Sequence, residues 1–447
     1  MTSQRPPSPL RTRDFRLLWL GESISALGDQ FALIALPWLA LILTGSSLAL
    51  GGVLAVMSIP RALLMVVGGV WTDRLSPRRV MLASNAVRLT AVGTLGLVVL
   101  SGQAQLWMLY GFALVFGVAD AFFYPAQTSM VPELVEPSQI QSANGIVQGT
   151  AQLAVLVGPA VAGAIIATLG TTGGGGVGTA GIALALLLDA ASFVASIVTL
   201  LLIVGRPRAA NEVAPMAAAI REALGFVWHQ QTLRLIVLIS LAANLLIVGP
   251  IEVGLPVLAF TRLPEGAAAY GVIMSAFGAG SLVGYLAGAA LPSPRPSRLG
   301  VVVLVTLGAS GLAIAGLAIA DSTAVAAGLS ALGGLTLGYG NLLGMSWIQA
   351  RVPRSIMGRV MSLLMFASTG LVPISELVAG ALVQVSLAGV LAVAGLGMAA
   401  VSALALASKR LRDLGLEPPL PSTDAPETSS ATSPDGATPG DVPQVAA

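Results

Sequence analysis

The chain has 447 residues, 55% of them apolar and only 9% charged, with a formal net charge of +2 and a mean hydropathy of +0.89. Soluble domains carry about 25% charged residues, so this composition describes an integral membrane protein. Cysteine is absent and His229 is the single histidine, which excludes disulfides, thiol chemistry and histidine-built metal sites. There is no basic stripe with interleaved aromatics, which speaks against nucleic-acid binding.

A membrane span takes about 20 apolar residues. Twelve such runs are read from the sequence: 16–43, 47–71, 80–101, 105–130, 139–168, 180–204, 233–260, 267–291, 299–320, 323–348, 358–386 and 388–408. The first follows a polar, basic N-terminus (1–15). It is too long for a signal-peptide core and no small-residue cleavage site follows, so it is read as a retained span. Most joints are short. The longest internal connection, 205–232, divides the chain into two six-span bundles, 16–204 and 233–410. Within it Leu224, Val227 and Trp228 recur at helical spacing, which predicts a helix lying on the membrane surface. The tail, 411–447, is rich in proline, serine, threonine and acid and is expected to be disordered.

Nineteen of the 22 basic residues fall in the termini, the 2–3, 8–9 and 10–11 turns and the 6–7 connection. By the positive-inside rule these segments, both termini included, are cytoplasmic. The 4–5 turn departs from the pattern, with Glu133 and Glu136 and no base. Arginine outnumbers lysine 21 to 1, which points to a GC-rich bacterial genome and hence a bacterial cytoplasmic membrane. The two halves also repeat. Leu36-Pro37 matches Leu255-Pro256, Gly52-Val53 matches Gly271-Val272, Gly69 matches Gly288 and Arg79 matches Arg298, all 219 residues apart. Val161-Ala162-Gly163-Ala164 returns as Val378-Ala379-Gly380-Ala381. Duplicated halves around a central site are a transporter architecture.

The turn after span 2, with Gly69, Asp73, Arg74, Arg78 and Arg79, resembles the 2–3 loop motif of the major facilitator superfamily, with Ser76-Pro77 where glycine is usual. Gly145, Ala154, Gly158-Pro159 and Ala162-Gly163 are similar to the span 5 motif of that family's drug:proton antiporters, with two glycines changed to alanine. The arginine many such antiporters carry on span 4 has no counterpart; its place falls near Ala113. Gly28-Asp29, Pro60-Arg61, Phe123-Tyr124-Pro125-Ala126 and Asp189-Ala190-Ala191-Ser192-Phe193 suggest the macrolide-efflux-type subgroup, which also holds siderophore exporters and lysolipid-moving relatives. The resemblance implies an all-α fold of twelve helices in two pseudo-symmetric bundles. It also implies that Gly69, Asp73, Arg74, Arg78, Arg79, Gly158, Pro159 and Gly163 take part in the conformational switch.

A charge within a span costs at least a few kcal/mol unless paired or wet. Eight occur: Glu22, Asp29, Arg61, Arg88, Asp120, Asp189, Glu252 and Glu376. Six acids against two bases favour bound protons or a cationic substrate. Asp29 lies about 20 Å along span 1, as a proton carrier and cation contact or as one end of a fixed salt bridge. Glu22, seven residues earlier on the same face, reads as structural or as part of the cavity mouth. Arg88, too deep to reach the surface, should pair with Asp29 or Asp120 as a latch. Arg61 follows Pro60 and reads as structural. Asp120 sits beside Phe123 and Tyr124, a setting for a lipophilic cation. Asp189 reads as paired within the first bundle. Glu252, flanked by Gly249-Pro250 and Pro256, is expected where span 7 breaks and exposes carbonyls, with Asn244 two turns away. Glu376 takes the repeat position of Pro159, near an outer gate. Tyr339 and Asn341 on span 10 and Met361, Met365 and Phe366 on span 11 are candidates for an adaptable wall. Asp29, Asp120, Glu252 and Glu376 are the proton-coupling candidates.

The reading is a monomeric, proton-coupled exporter of amphipathic cationic or neutral compounds, in contact with membrane lipids and without cofactor. The alternatives are a siderophore or lysolipid transporter of the same fold, or a non-transporting receptor or assembly partner. No nucleophile–base or metal constellation appears, so an enzyme is not expected. No Walker motif is present, so ATP is not its energy source in cis.

Overall fold

The computed structural model describes residues 8–170, 179–204, 230–352 and 368–416, with 225, 228, 360, 361 and 364; residues 65–74 are described by their backbone. Among the described residues, twelve helices stand where the twelve spans are expected. They are α1 (Arg13–Thr44), α2 (Ser47–Arg74), α3 (Pro77–Leu100), α4 (Leu106–Leu134), α5 (Ile140–Gly170) and α6 (Ala180–Leu202), then α7 (Gln231–Arg262), α8 (Ala267–Ala290), α9 (Pro296–Leu317), α10 (Thr323–Arg351), α11 (Val372–Val385) and α12 (Leu387–Ala407). Ten are long and apolar enough to cross a membrane, α10 is equally long but glycine-rich, and α11 is a shorter apolar helix. Among the described residues there is no strand.

Local chemistry sets the ends. Gly45, at φ 63°, closes α1 by donating its N–H to Leu41 O. Ser76, Ser322 and Ser386 cap α3, α10 and α12 by accepting from the backbone N–H three residues on. Glu136, the acid that departs from the basic pattern, forms a reciprocal cap with Gln139 over the short turn Pro137–Gln139. In the 7–8 turn, Thr323 Oγ1 donates to Glu265 Oε2 at 2.6 Å and holds that exposed carboxyl below its usual range.

Within the first six helices α1 packs on α5 and α6, α2 on α4, and α3 on α4 and α6; within the second, α8 packs on α10, α9 on α10 and α12, and α11 on α7. Across the halves α5 meets α8 and α2 meets α11. Both crossings are glycine on glycine. A Cβ at Gly163 would lie 2.5 Å from Ala267 O and 3.0 Å from Gly271 Cα; one at Gly380 would lie 2.8 Å from Ser47 O and 3.0 Å from Gly51 Cα. Gly163 and Gly380 are matched positions of the internal repeat, so one crossing is the pseudo-symmetric image of the other. Small residues let the helix backbones touch where lipid provides no hydrophobic drive to associate.

The inter-half contacts gather toward the end opposite the chain termini. Trp38 meets Phe260 edge to face at 5.4 Å, Ser47 Oγ donates to Gly380 O at 2.9 Å, and Gln384 Nε2 donates to Ser46 Oγ at 2.6 Å. One apolar core, with Leu36, Leu39, Leu255 and Tyr270, is shared by both halves there. Toward the termini the cores are separate: Phe15, Leu18, Met81 and Phe123 in the first half, Leu233, Trp347 and Ile348 in the second.

Helix α7 does not break at Gly249-Pro250 as expected. It widens into a single π turn, Asn244–Val248, and continues. Ser375 of α11 is spliced into that turn: its Oγ donates to Leu245 O at 2.8 Å and accepts from Gly249 N at 2.9 Å. Gly249 permits this approach, since a Cβ there would lie 2.2 Å from Ser375 O. The Leu245 carbonyl is thus taken by protein and is not offered to a cavity. Ser375→Ala leaves one buried donor and one acceptor unpaired and should cost about 1–3 kcal/mol, read as a lowered unfolding midpoint of the purified protein; an unchanged midpoint would mean the π turn does not need the hydroxyl.

The chain beyond α12 stays ordered longer than its composition suggests. Residues Lys409–Arg412 form a helical turn and Leu414–Leu416 a 3-10 turn. Trp347 Nε1 donates to Leu414 O at 2.7 Å and Arg351 Nη2 to Gly415 O at 2.8 Å. Residues 411–416, expected in the disordered tail, therefore belong to the fold. The remaining tail (417–447) and the surface helix expected across 220–228, apart from residues 225 and 228, lie outside the described residues.

Candidate substrate cavity and its buried charges

A cavity of about 170 Å³ opens between α1, α2 and α4. Its polar lining is Asp29 and Gln30 from α1, Arg61 from α2, and Asp120 and Tyr124 from α4. Leu33, Leu54, Met57, Phe112 and Phe116 supply its apolar wall. Asp29, Arg61 and Asp120 come together because each sits about halfway along a long helix, and Pro37, Pro60 and Pro125 interrupt the same three helices.

Arg88 lies beneath this cavity and is 1% exposed. It makes an ion pair with Asp120, one of the two partners expected for it. Its guanidinium also lies over the rings of Phe123 at 4.0 Å, Phe116 at 5.3 Å and Phe193 at 5.7 Å. Three ring faces and one carboxylate replace the water a buried cation gives up. The pair joins α3 to α4 inside the first half, so it does not latch one half to the other. Arg61 takes the other conspicuous position: its guanidinium lies over Tyr124 at 5.1 Å, and it interacts electrostatically with Asp120 on its own half and with Glu252 on the other. Arg61, expected to be structural, lies in the cavity wall. The signal available was Pro60, which opens the helix beside it.

With Arg88 paired to Asp120 and Arg61 stacked on Tyr124, Asp29 makes no ion pair among the described residues, and both arginines act on it only electrostatically. Its Oδ1 is buried and has no hydrogen-bond partner among the described residues. Asp189 lies behind it on α6, fully buried: a Cβ on Gly28 would sit 2.8 Å from Asp189 Oδ1, and Asp189 Oδ2 has no partner among the described residues. Asp189 thus sits within the first half but without an ion pair among the described residues. Glu22 is fully partnered instead, accepting from Gln127 Nε2 at 2.6 Å and Ser196 Oγ at 3.0 Å, with Asn85 Nδ2 donating to the same serine at 2.9 Å.

The second half contributes differently from expectation. Glu252 and Glu376 face each other between α7 and α11 within hydrogen-bonding reach, and Ser58 Oγ of α2 donates to Glu376 Oε1 at 3.0 Å. Neither glutamate lines the cavity. Asn244 is not a cavity group: its Nδ2 donates to Ser240 O at 2.8 Å, back onto its own helix. Tyr339 packs on α8 at Gly284 and Gly288, Asn341 is exposed on α10, and Met361 joins the terminal-end core with Leu233 and Trp347. Met365 and Phe366 lie outside the described residues. Phe123 is buried under Arg88 and edge to face with Tyr124, so it supports the cavity without lining it.

Of the switch candidates, Gly69, Asp73 and Arg74 fall in the stretch described by backbone alone, where α2 ends at Arg74. Arg78 caps α6, its Nε donating to Leu200 O at 2.7 Å and its Nη2 to Leu201 O at 2.8 Å. Arg79 is exposed. Gly158 admits Gln30 of α1, since a Cβ there would lie 2.5 Å from Gln30 Cβ. Pro159 and Gly163 form one side of the α5–α8 crossing.

Residues 18–375 match the sequence profile of the Major Facilitator Superfamily. The chain is 28% identical over 416 residues to the multidrug efflux pump Tap of Mycobacterium tuberculosis, covering 90% of this chain and 95% of that protein. It is 27% identical over 402 residues to the Tap pump of Mycolicibacterium fortuitum, covering 87% and 94%. Its fold is similar to the nucleoside transporter NupG (TM-score 0.68, 13% identity, 88% of this chain and 98% of that one) and to a bacterial homologue of the iron transporter ferroportin in an inward-facing state (TM-score 0.67, 21% identity, 88% and 98%). With a profile match over most of its length, the chain belongs to the Major Facilitator Superfamily, as a membrane transporter and not an enzyme.

Proposed function

We propose that this transporter exports amphipathic, cationic or neutral drug-like compounds in exchange for protons, as a monomer in a bacterial cytoplasmic membrane. The observation that carries the reading is Asp29: a carboxylate in the wall of a cavity that makes no ion pair, among the described residues, with the two arginines beside it. Such a group is poised to take a proton or a cationic substrate, one excluding the other. Tyr124, Phe112 and Phe116 offer the aromatic faces a lipophilic cation prefers. The similarity to the Tap pumps supports an efflux role.

Exposed basic residues at the termini end, among them Arg79, Arg295, Arg298 and Lys409, support a cytoplasmic side for that end by the positive-inside rule. The two six-helix bundles, 16–204 and 233–410, then rock about the cavity, and the form described here is closed on the outer side. Drug pockets commonly measure about 300–1,000 Å³, so a cavity of about 170 Å³ holds the charged end of such a molecule while the bundles part to admit the rest. In everted vesicles carrying the protein, ethidium accumulation should require a proton gradient, collapse with an uncoupler, and be lost in Asp29→Asn at normal expression. Accumulation that persists with an uncoupler would overturn proton coupling.

A further inference from the structure

We infer that Glu252 and Glu376 form a single proton-binding site, two carboxyls sharing one proton, placed where α7 and α11 face α2 between the two bundles. This rests on the transporter reading above and adds to it a second proton site, outside the lining of the Asp29 cavity but beside it at Arg61. Glu376 is 1% exposed. Its Oε1 accepts from Ser58, its Oε2 is buried without a partner among the described residues, and the Glu252 side chain lies within hydrogen-bonding reach of this carboxyl. Two ionised carboxylates cannot bond to each other, because both only accept. One proton between them supplies the missing donor and removes one of two like charges from an apolar site.

The groups around the pair complete the picture. Arg61 of α2 interacts electrostatically with both glutamates, and Tyr270 of α8 with Glu252. One net negative charge on the pair thus faces one arginine. Ser58 and Arg61 both belong to the first half, whereas the glutamates belong to the second. The Ser58 bond and the Arg61 charge therefore reach the pair only while α2 lies against α11. The backbone there is equally close: a Cβ at Gly51 would lie 2.5 Å from Glu376 O. Parting of the outer ends removes both partners at once, which makes the occupancy of the shared proton depend on the conformation, and the conformation depend on the proton.

The test is the infrared C=O stretch of protonated carboxyls in the full-length purified protein at neutral pH, as wild-type-minus-variant difference spectra. A shared proton predicts that Glu252→Gln and Glu376→Gln each remove the same single band, and that the double variant removes no more. Glutamine donates to the remaining carboxylate, so each single variant should keep the wild-type unfolding midpoint. A band lost in one single variant and retained in the other would assign the proton to one residue and overturn sharing. No band lost in the double variant would show the pair to be unprotonated and overturn the site. The spectra need no transport, so failure of proton-coupled efflux with the shared band present would refute the antiport reading and leave the site standing.

Discussion

Arg88→Leu should destabilise the first six helices by about 3–5 kcal/mol, the usual cost of removing one partner from a buried ion pair. Asp120, 6% exposed, would lose its ion-pair partner and keep only the electrostatic influence of Arg61. The three ring faces around the guanidinium would also lose their cation. The double variant Arg88→Leu/Asp120→Leu removes both charges and should recover most of the loss, because apolar replacement of a buried pair is often neutral or stabilising. Unfolding midpoints in detergent measure both. Equal losses in the single and double variants would show that packing around Arg88, not the pair, holds the site.

Gly271→Val should act on conformation more than on folding. Its Cβ would meet Pro159 O at 2.3 Å and Gly163 Cα at 3.0 Å, across the α5–α8 crossing between the halves. Overpacking costs about 1–3 kcal/mol, and here the strain is relieved by parting the outer ends, a population shift of about 5- to 150-fold. Gly280→Val is the control: its Cβ would lie 1.9 Å from Ala331 O, inside the second half, where no rigid-body motion relieves it, so the fold itself should suffer. The chain has no cysteine, so spin labels at Gln103→Cys and Asp321→Cys report the outer separation without background. A longer distance in Gly271→Val with near-normal stability is expected; an unchanged distance with lost transport would mean the crossing is not a pivot.

The twelve helices were legible because a span must be about 20 apolar residues long, whatever it packs against. The internal repeat was legible too, and it matched Gly163 to Gly380, one glycine from each of the two inter-half crossings. Orientation of the helices about their axes was harder to read. Lipid tails are as apolar as a protein core, so a membrane helix carries little pattern to say which face turns inward. That is why Asn244, Tyr339, Asn341 and Met361 were expected at the cavity and Arg61 was not. Charged residues deep in spans escaped this ambiguity in part: Asp29, Arg88 and Asp120 had to face inward, and they do. Ser58 and Ser375, which tie α2 and α7 to α11, gave no signal, since a lone serine is common in any membrane helix.

The central claim is that Asp29 exchanges a proton for substrate. Its most direct test is proton release from the purified protein in detergent near neutral pH on addition of a macrolide, ethidium or a lysophospholipid. The account predicts release with ethidium or the macrolide, lost in Asp29→Asn while that variant remains folded. Drug binding without proton release in the wild type, or release undiminished in Asp29→Asn, would contradict it.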